Sequence, residues 1–238
     1  MDYKELIEKL REKDRCQCEC LQAADAIEKL LTERDAAVEG LRGQATRESG
    51  GHTVMTDWAD GRYRAIYADP PWSFRAWSRK GNGRSAERHY RTMGPEEIKA
   101  LPVGDLADRD CVLFLWATLP MIQRALETIE AWGFIYKTTA FVWIKQNRRS
   151  NSLFWGMGYW TRSNAEICLL ATRGSPKRIS AGVHQVIVSP VEEHSKKPDE
   201  VRDRIVALVG DVPRIELFAR QRADGWDAWG DELPEVER

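Results

Sequence analysis

The stretch Arg64-Ala65-Ile66-Tyr67-Ala68-Asp69-Pro70-Pro71-Trp72 couples a short apolar run to a stiff turn. RAIYA carries no polar alternation, which predicts a strand buried on both faces. The two prolines after it fix two φ angles and remove two N–H donors, so the backbone there presents carbonyl acceptors on a rigid frame. Asp69 adds a carboxylate at the strand's carboxyl end, the edge where open α/β sheets hold ligands. Trp72 adds a flat aromatic face. Acceptors beside such a plate fit an exocyclic amine on a flat heterocycle such as adenine. Asp69 and the Pro70 carbonyl would each take one amine hydrogen, localising the nitrogen lone pair by positioning and preorganised electrostatics. The plainer reading of the same residues is a strand-ending turn with a core Trp.

Outward from this turn, apolar runs and helical stretches alternate. Strands are predicted at Cys111–Trp116, Ala140–Ile144, Ala165–Ala171 and Val186–Val188, with Arg214–Phe218 as the last. Helices are predicted at Pro95–Leu101, Pro120–Trp132 and Pro198–Val209, the last opening on proline in its first turn. Apolar strands alternating with helices imply an α/β domain over residues 57–238, a mostly parallel sheet covered on both faces.

The segment 1–48 differs. Leu6, Leu10, Lys13, Gln17, Cys20, Ala24, Ile27, Leu31, Arg34, Val38 and Leu41 follow a heptad frame, and eight of these eleven are apolar. This predicts a long helix with a coiled-coil-like seam. A second copy of the chain is the simplest supplier of a matching stripe, so a homodimer is expected; packing on its own domain is the alternative. Cys16, Cys18 and Cys20 do not give the paired spacing and four ligands of a zinc site, so no metal is expected. A polar linker, Gln44–Thr56, follows.

The chain has 238 residues, with 36 Lys plus Arg against 37 Asp plus Glu, so overall charge gives no argument for nucleic acid. At 42% hydrophobic and 31% charged residues it is of soluble globular type. No apolar run reaches membrane-span length, and the start is too charged for a signal peptide. Five cysteines without framework spacing fit a reducing cytoplasm. Ten tryptophans supply core, and flat faces useful for stacking on bases.

Charge is uneven locally. Ser73–Thr92 holds Arg75, Arg79, Lys80, Arg84, Arg88 and Arg91 against Glu87 alone, with Trp77 between two of them and Gly81 and Gly83 nearby. It reads as a basic loop with an aromatic tip. Lys145–Ser163 adds Lys145, Arg148, Arg149 and Arg162 without an acid, interleaved with Trp155 and Trp160. Arg173, Lys177 and Arg178 follow. Basic residues with aromatics fit phosphate contacts plus stacking, and an adenine in a duplex must leave the stack to be reached. A solvated basic face is the alternative.

ADPPW is followed in order by HYRTM (His89–Met93), PEEIKALP, FLW (Phe114–Trp116), WGF (Trp132–Phe134), FVWIK (Phe141–Lys145), HSKKPDEV (His194–Val201), IELFAR (Ile215–Arg220) and WDAWGDEL (Trp226–Leu233). This ordered set resembles the adenine-N6 methyltransferases of the mRNA adenosine methyltransferase (MT-A) family, of the prokaryotic or phage type. The resemblance spans about Tyr63 to Leu233. It implies S-adenosylmethionine as cofactor, a Rossmann-like methyltransferase fold, and a permuted order in which the catalytic turn precedes the main cofactor segment. That order accounts for the absence of G-x-G-x-x-G.

The resemblance assigns Asp69, Pro70, Pro71 and Trp72 to the catalytic turn, with Asp69 also facing the cofactor's amino-acid end. Lys197 aligns with a Lys that meets the cofactor carboxylate, and Arg220 with an Arg bordering the ribose. Asp231 and Glu232 stand where many members carry Asn-Gln. Arg222 and Ala223 replace a His-Asn pair, so Arg222 is a further cofactor candidate. Tyr90 matches a gate-loop Tyr near the target base, and Glu166 a strand-entry Glu. Trp72, Trp77, Arg79, Lys80, Arg84, Tyr90, Arg148, Arg149, Arg162 and Glu166 thus make up the expected substrate side. DNA is favoured over RNA, because no added RNA-binding module is visible. The competing function is an inactive homologue serving as a binding or scaffold subunit, and a further one is methylation of another amine, such as a glutamine side chain.

Overall fold

The computed structural model describes residues 29, 32, 62–73, 92–156, 158, 160–192 and 196–234. The chain divides into two compact units, Met1–Thr56 and Asp57–Arg238. Lys29 and Thr32 are helical; the rest of the heptad segment, its three cysteines and the linker lie outside the described residues.

The second unit carries β1 (Tyr63–Ala68), α1 (Pro95–Lys99), α2 (Val103–Leu106), β2 (Ala107–Ala117), α3 (Ile122–Ala131), β3 (Ile135–Gln146), β4 (Ala165–Arg173), β5 (Val186–Pro190), α4 (Glu200–Val209), β6 (Arg214–Leu217) and β7 (Asp227–Trp229). The seven strands form one sheet in the order β5-β3-β4-β2-β1-β6-β7. β1 pairs in parallel with β2 and β6, β6 with β7, and β3 with β5. β4 alone runs antiparallel to both its neighbours.

Both faces of the sheet are buried. Along β2, Cys111, Leu113, Leu115 and Ala117 enter one core with Ile98 of α1, Leu106 of α2 and Ile129 of α3. Val112, Phe114 and Trp116 enter the opposite core with Val201, Ile205 and Val209 of α4. A strand apolar at every position is what this two-sided burial requires.

Three expectations are corrected. Arg214–Leu217 is not the last strand, because Asp227–Trp229 adds an edge strand too short to show a period. The last helix starts at Glu200 with Asp199 as N-cap, so Pro198 precedes it rather than opening its first turn. The helix expected from Pro120 begins as a 3-10 turn, Leu119–Met121, before α3. Among the described residues no helix is long and apolar enough to cross a membrane.

Candidate active site

The topology collects polar residues at one edge. β1 ends into Asp69, β2 into Thr118 and β6 into Phe218. Because β4 runs the other way, its first residues lie at this same edge: Ala117 pairs with Ile167 and Trp143 with Glu166. The end of β3 brings Lys145 beside it. Lys197 reaches in from the segment before α4.

These residues form a chain of alternating charge. The Lys197 Nζ donates to Asp69 Oδ2 at 2.6 Å and lies 3.3 Å from Glu166 Oε2. The other Glu166 oxygen accepts from Lys145. Side-chain exposure is 11% for Lys197 and 13% for Glu166, so these are largely desolvated charges. Burial works against the Lys197 ammonium, but Asp69 and Glu166 raise its pKa above the ordinary lysine value. Burial likewise works to raise Glu166, and Lys197 and Lys145 pull it below the ordinary carboxylate value. Lys197 also lies 5.4 Å from the Trp116 ring centre and Lys145 4.9 Å from that of Trp143, so each cation meets an indole.

The turn is fixed from below. The Trp72 indole donates to the Trp116 carbonyl at 2.9 Å, and the Trp116 indole to the Tyr67 hydroxyl at 2.8 Å. Trp72 is 7% exposed and packs in the core, so much of its ring faces the protein itself. The Pro70 carbonyl accepts from the Trp72 N–H at 2.8 Å and keeps its second lone pair. Pro71 accepts from Met93 N–H, and Met93 from Ser73 N–H, which pins the chain where it returns at residue 93. Trp77, Arg79, Lys80, Arg84 and Tyr90 lie outside the described residues.

The neighbouring strand end is tightly built. Phe218 holds a φ of 62°, a region side chains rarely adopt, with its ring edge-on to Trp229 at 5.3 Å. A Cβ on Gly230 would lie 2.2 Å from the Ala219 carbonyl oxygen, so glycine is required for this approach. Arg220 stands 3.6 Å from Glu232, while Arg222 and Asp231 are exposed. Arg148, Arg149 and Arg162 are exposed on the connection between β3 and β4, and Arg148 donates to the Val191 carbonyl. An open cleft of about 140 Å³ lies at this end, lined by Thr118, Leu119, Lys145, Phe154, Asn164 and Glu166 among others.

The sequence places Lys145 in a basic stretch and at the end of FVWIK without a partner; its pairing with Glu166 follows from the reversal of β4, which no local pattern announces. Glu216 and Arg202 were also missed. Glu216, in an apolar strand and 8% exposed, receives Arg202 through Nε at 2.6 Å and Nη2 at 3.0 Å, tying α4 to β6. A carboxylate inside RIELF was the available signal.

The donor set suits a zwitterion. Lys197 offers a cation to a carboxylate, and Asp69 an anion to an ammonium, at a strand edge where Gly230 brings backbone close. The quartet is neutral as a whole, and a ligand end carrying both charges leaves it so. The amino-acid end of S-adenosylmethionine has this chemistry.

The MT-A70 family pattern matches residues 63–232. The type II methyltransferase M.MunI of Mycoplasma sp is 34% identical over 191 residues, covering 73% of this chain and 79% of that protein. The human N(6)-adenosine-methyltransferase catalytic subunit METTL3 is 30% identical over 73% of this chain and 28% of its own length. The MT-A70-like N(6)-adenosine-methyltransferase of Drosophila melanogaster is 30% identical over 73% of this chain and 27% of its own. With a mixed seven-stranded α/β sheet of Rossmann-like methyltransferase type, the chain belongs to the MT-A70 family, whose members use S-adenosylmethionine.

Proposed function

We propose that the protein transfers a methyl group from S-adenosylmethionine to the N6 amine of adenine in nucleic acid. The observation that carries this is the Asp69–Lys197 contact at the end of β1, inside a charge quartet that stays neutral. The cofactor supplies an electrophilic methyl carried on a sulfonium. Lys197 holds its carboxylate and Asp69 its ammonium; Arg220, Arg222, Asp231 and Glu232 border its nucleoside. Asp69 Oδ1, the oxygen not taken by Lys197, and the open lone pair of Pro70 accept the two amine hydrogens. The Asp69 carboxylate also offsets the positive charge that develops on nitrogen. Pro71 and Trp72 hold the turn at fixed geometry, and Trp72 offers the target what remains of its face. Glu166 and Lys145 form the cleft wall on the substrate side.

DNA is the favoured substrate. The match to M.MunI extends over 79% of that protein, against 28% for METTL3. The basic residues Arg79, Lys80, Arg84, Arg148, Arg149 and Arg162 serve as phosphate contacts, Trp77 as a stacking face, and Tyr90 as the gate-loop Tyr near the target base. In this reading the chain has the permuted order, with the β1 turn before the cofactor strand β6. In the same reading the heptad segment joins two copies, so light scattering is expected to give a dimer for the full chain and a monomer after deletion of residues 1–45.

The deciding test is transfer of labelled methyl to matched DNA and RNA oligonucleotides, single and double stranded. Label on adenine N6 supports the reading. Cofactor binding without transfer to any of them favours the scaffold alternative.

A further inference from the structure

The connection between β3 and β4 is built as an arm rising from the cleft. Its base is fixed by Lys145 N–H to the Asn164 carbonyl at 2.9 Å and Phe154 N–H to the Lys145 carbonyl at 2.8 Å. Further out, Gly156 N–H donates to the Ser163 carbonyl at 2.7 Å. The two sides approach so closely that a Cβ on Gly156 would lie 2.8 Å from that carbonyl oxygen. Gly158, at φ 63°, turns the chain where any side chain would meet Thr161.

The arm carries two tryptophans outward. Trp160 is 96% exposed and Trp155 61%, with Leu153 at 36% and, on the facing cleft wall, Leu119 at 49%. Single exposed apolar residues need no explanation, but a group of them on one arm whose base lines a cleft marks a contact surface. Phe154 and Gly156, on either side of Trp155, both line the cleft. Residues 145–163 contain no acid, and Arg148, Arg149 and Arg162 share this connection with the two tryptophans. A surface aromatic and cationic together complements an anionic chain bearing flat bases.

We infer that this arm is a stacking arm for single-stranded nucleic acid: the Trp160 indole is the platform for a base beside the target, and Trp155 a second face at the cleft mouth. The inference rests on the adenine-methyltransferase reading and adds the strandedness of the substrate. In a duplex each base face is covered by its neighbours. An indole can take such a face only where the base is unpaired or already unstacked. Stacking is indifferent to base identity and is worth about 1–3 kcal/mol per base.

The test uses the full chain with S-adenosylhomocysteine and a short fluorescein-labelled DNA single strand containing one adenine, read by anisotropy. Trp160→Ala weakens binding by about 5- to 150-fold, which is that stacking range at tenfold per 1.4 kcal/mol. Trp160→Phe recovers most of the loss. The salt slope stays as in the unsubstituted protein, since no phosphate contact is removed. Abasic nucleotides are then placed one at a time beside the adenine. One of them weakens the unsubstituted protein and leaves Trp160→Ala no weaker, the coupling expected of a direct contact. Unchanged affinity in Trp160→Ala overturns the inference, as does abasic sensitivity independent of Trp160. An altered sedimentation coefficient in Trp160→Ala with unchanged affinity overturns it in favour of a subunit contact. Trp160-dependent binding without methyl transfer to any oligonucleotide refutes the methyltransferase reading and leaves the arm standing.

Discussion

Lys197 and Asp69, 128 residues apart in the chain, meet at 2.6 Å across the carboxyl edge of the sheet. Lys197 is the only cation within 4 Å of Asp69 among the described residues, and Glu166 holds it from the other side. Lys197→Ala leaves two carboxylates at this edge without the cation between them. In the proposed reading it also removes the group that would meet the cofactor's carboxylate. S-adenosylmethionine affinity is expected to fall by about 1–3 kcal/mol, the scale of a charged hydrogen bond, with the protein still folded. Calorimetry that finds unchanged affinity places the cofactor elsewhere.

In the proposed mechanism Asp69 has a second task that Lys197 does not share. Asp69→Ala removes both the amine acceptor and the charge opposite the developing ammonium, and methyl transfer is expected to vanish. Asp69→Asn keeps one acceptor but not the charge, and kcat is expected to drop at least ~100-fold. Circular dichroism checks the fold, and near-normal turnover in both variants would sink the catalytic assignment.

Glu166 links this site to stability and pH. Its carboxyl sits below the ordinary value of 4.5, so its pairing with Lys145 and Lys197 stabilises the fold above that pH. The contribution is lost as pH falls through the lowered folded value. Glu166→Gln leaves the largely desolvated Lys145 ammonium facing a neutral amide and Lys197 with Asp69 as its remaining carboxylate. It is expected to unfold more easily at neutral pH by about 3–5 kcal/mol, as when one partner of a buried pair is removed. The difference from the unsubstituted protein narrows as pH drops below 4.5. Urea melts at several pH values check this; a difference that widens on acidification contradicts it.

Much of this was legible beforehand. RAIYA and CVLFLW announce buried strands because both faces are covered, and Asp-Pro-Pro fixes where β1 stops. The edge strand Asp227–Trp229 was not legible, because three residues show no period. The orientation of β4 was not legible either: AEICLL reads alike in both directions, and it is the reversed run that brings Glu166 to Lys197. The burial of Trp72 is a tertiary fact, since its indole N–H finds the Trp116 carbonyl only once β2 lies beside β1.

The same edge depends on one absent side chain. Gly230 follows β7, and a Cβ there would stand 2.2 Å from the Ala219 carbonyl oxygen and 2.7 Å from its nitrogen. Both neighbours are backbone, so no rotamer change relieves the clash. The peptide that must move follows Phe218, already held at φ 62° against Trp229, and leads into Arg220. Gly230→Ala therefore pushes on the end of β6 beside Asp69, whose N–H lies 3.5 Å from the Leu217 carbonyl. A destabilisation of about 1–3 kcal/mol is expected, the scale of overpacking, together with at least roughly tenfold weaker cofactor binding, one factor of ten for each 1.4 kcal/mol. Asp231→Ala, at the exposed next position, is the control: it is expected to weaken the cofactor while leaving the melting temperature unchanged. Differential scanning fluorimetry with and without S-adenosylmethionine separates the two. A Gly230→Ala protein that melts and binds like the unsubstituted one would show that this edge tolerates movement and is not the cofactor's seat.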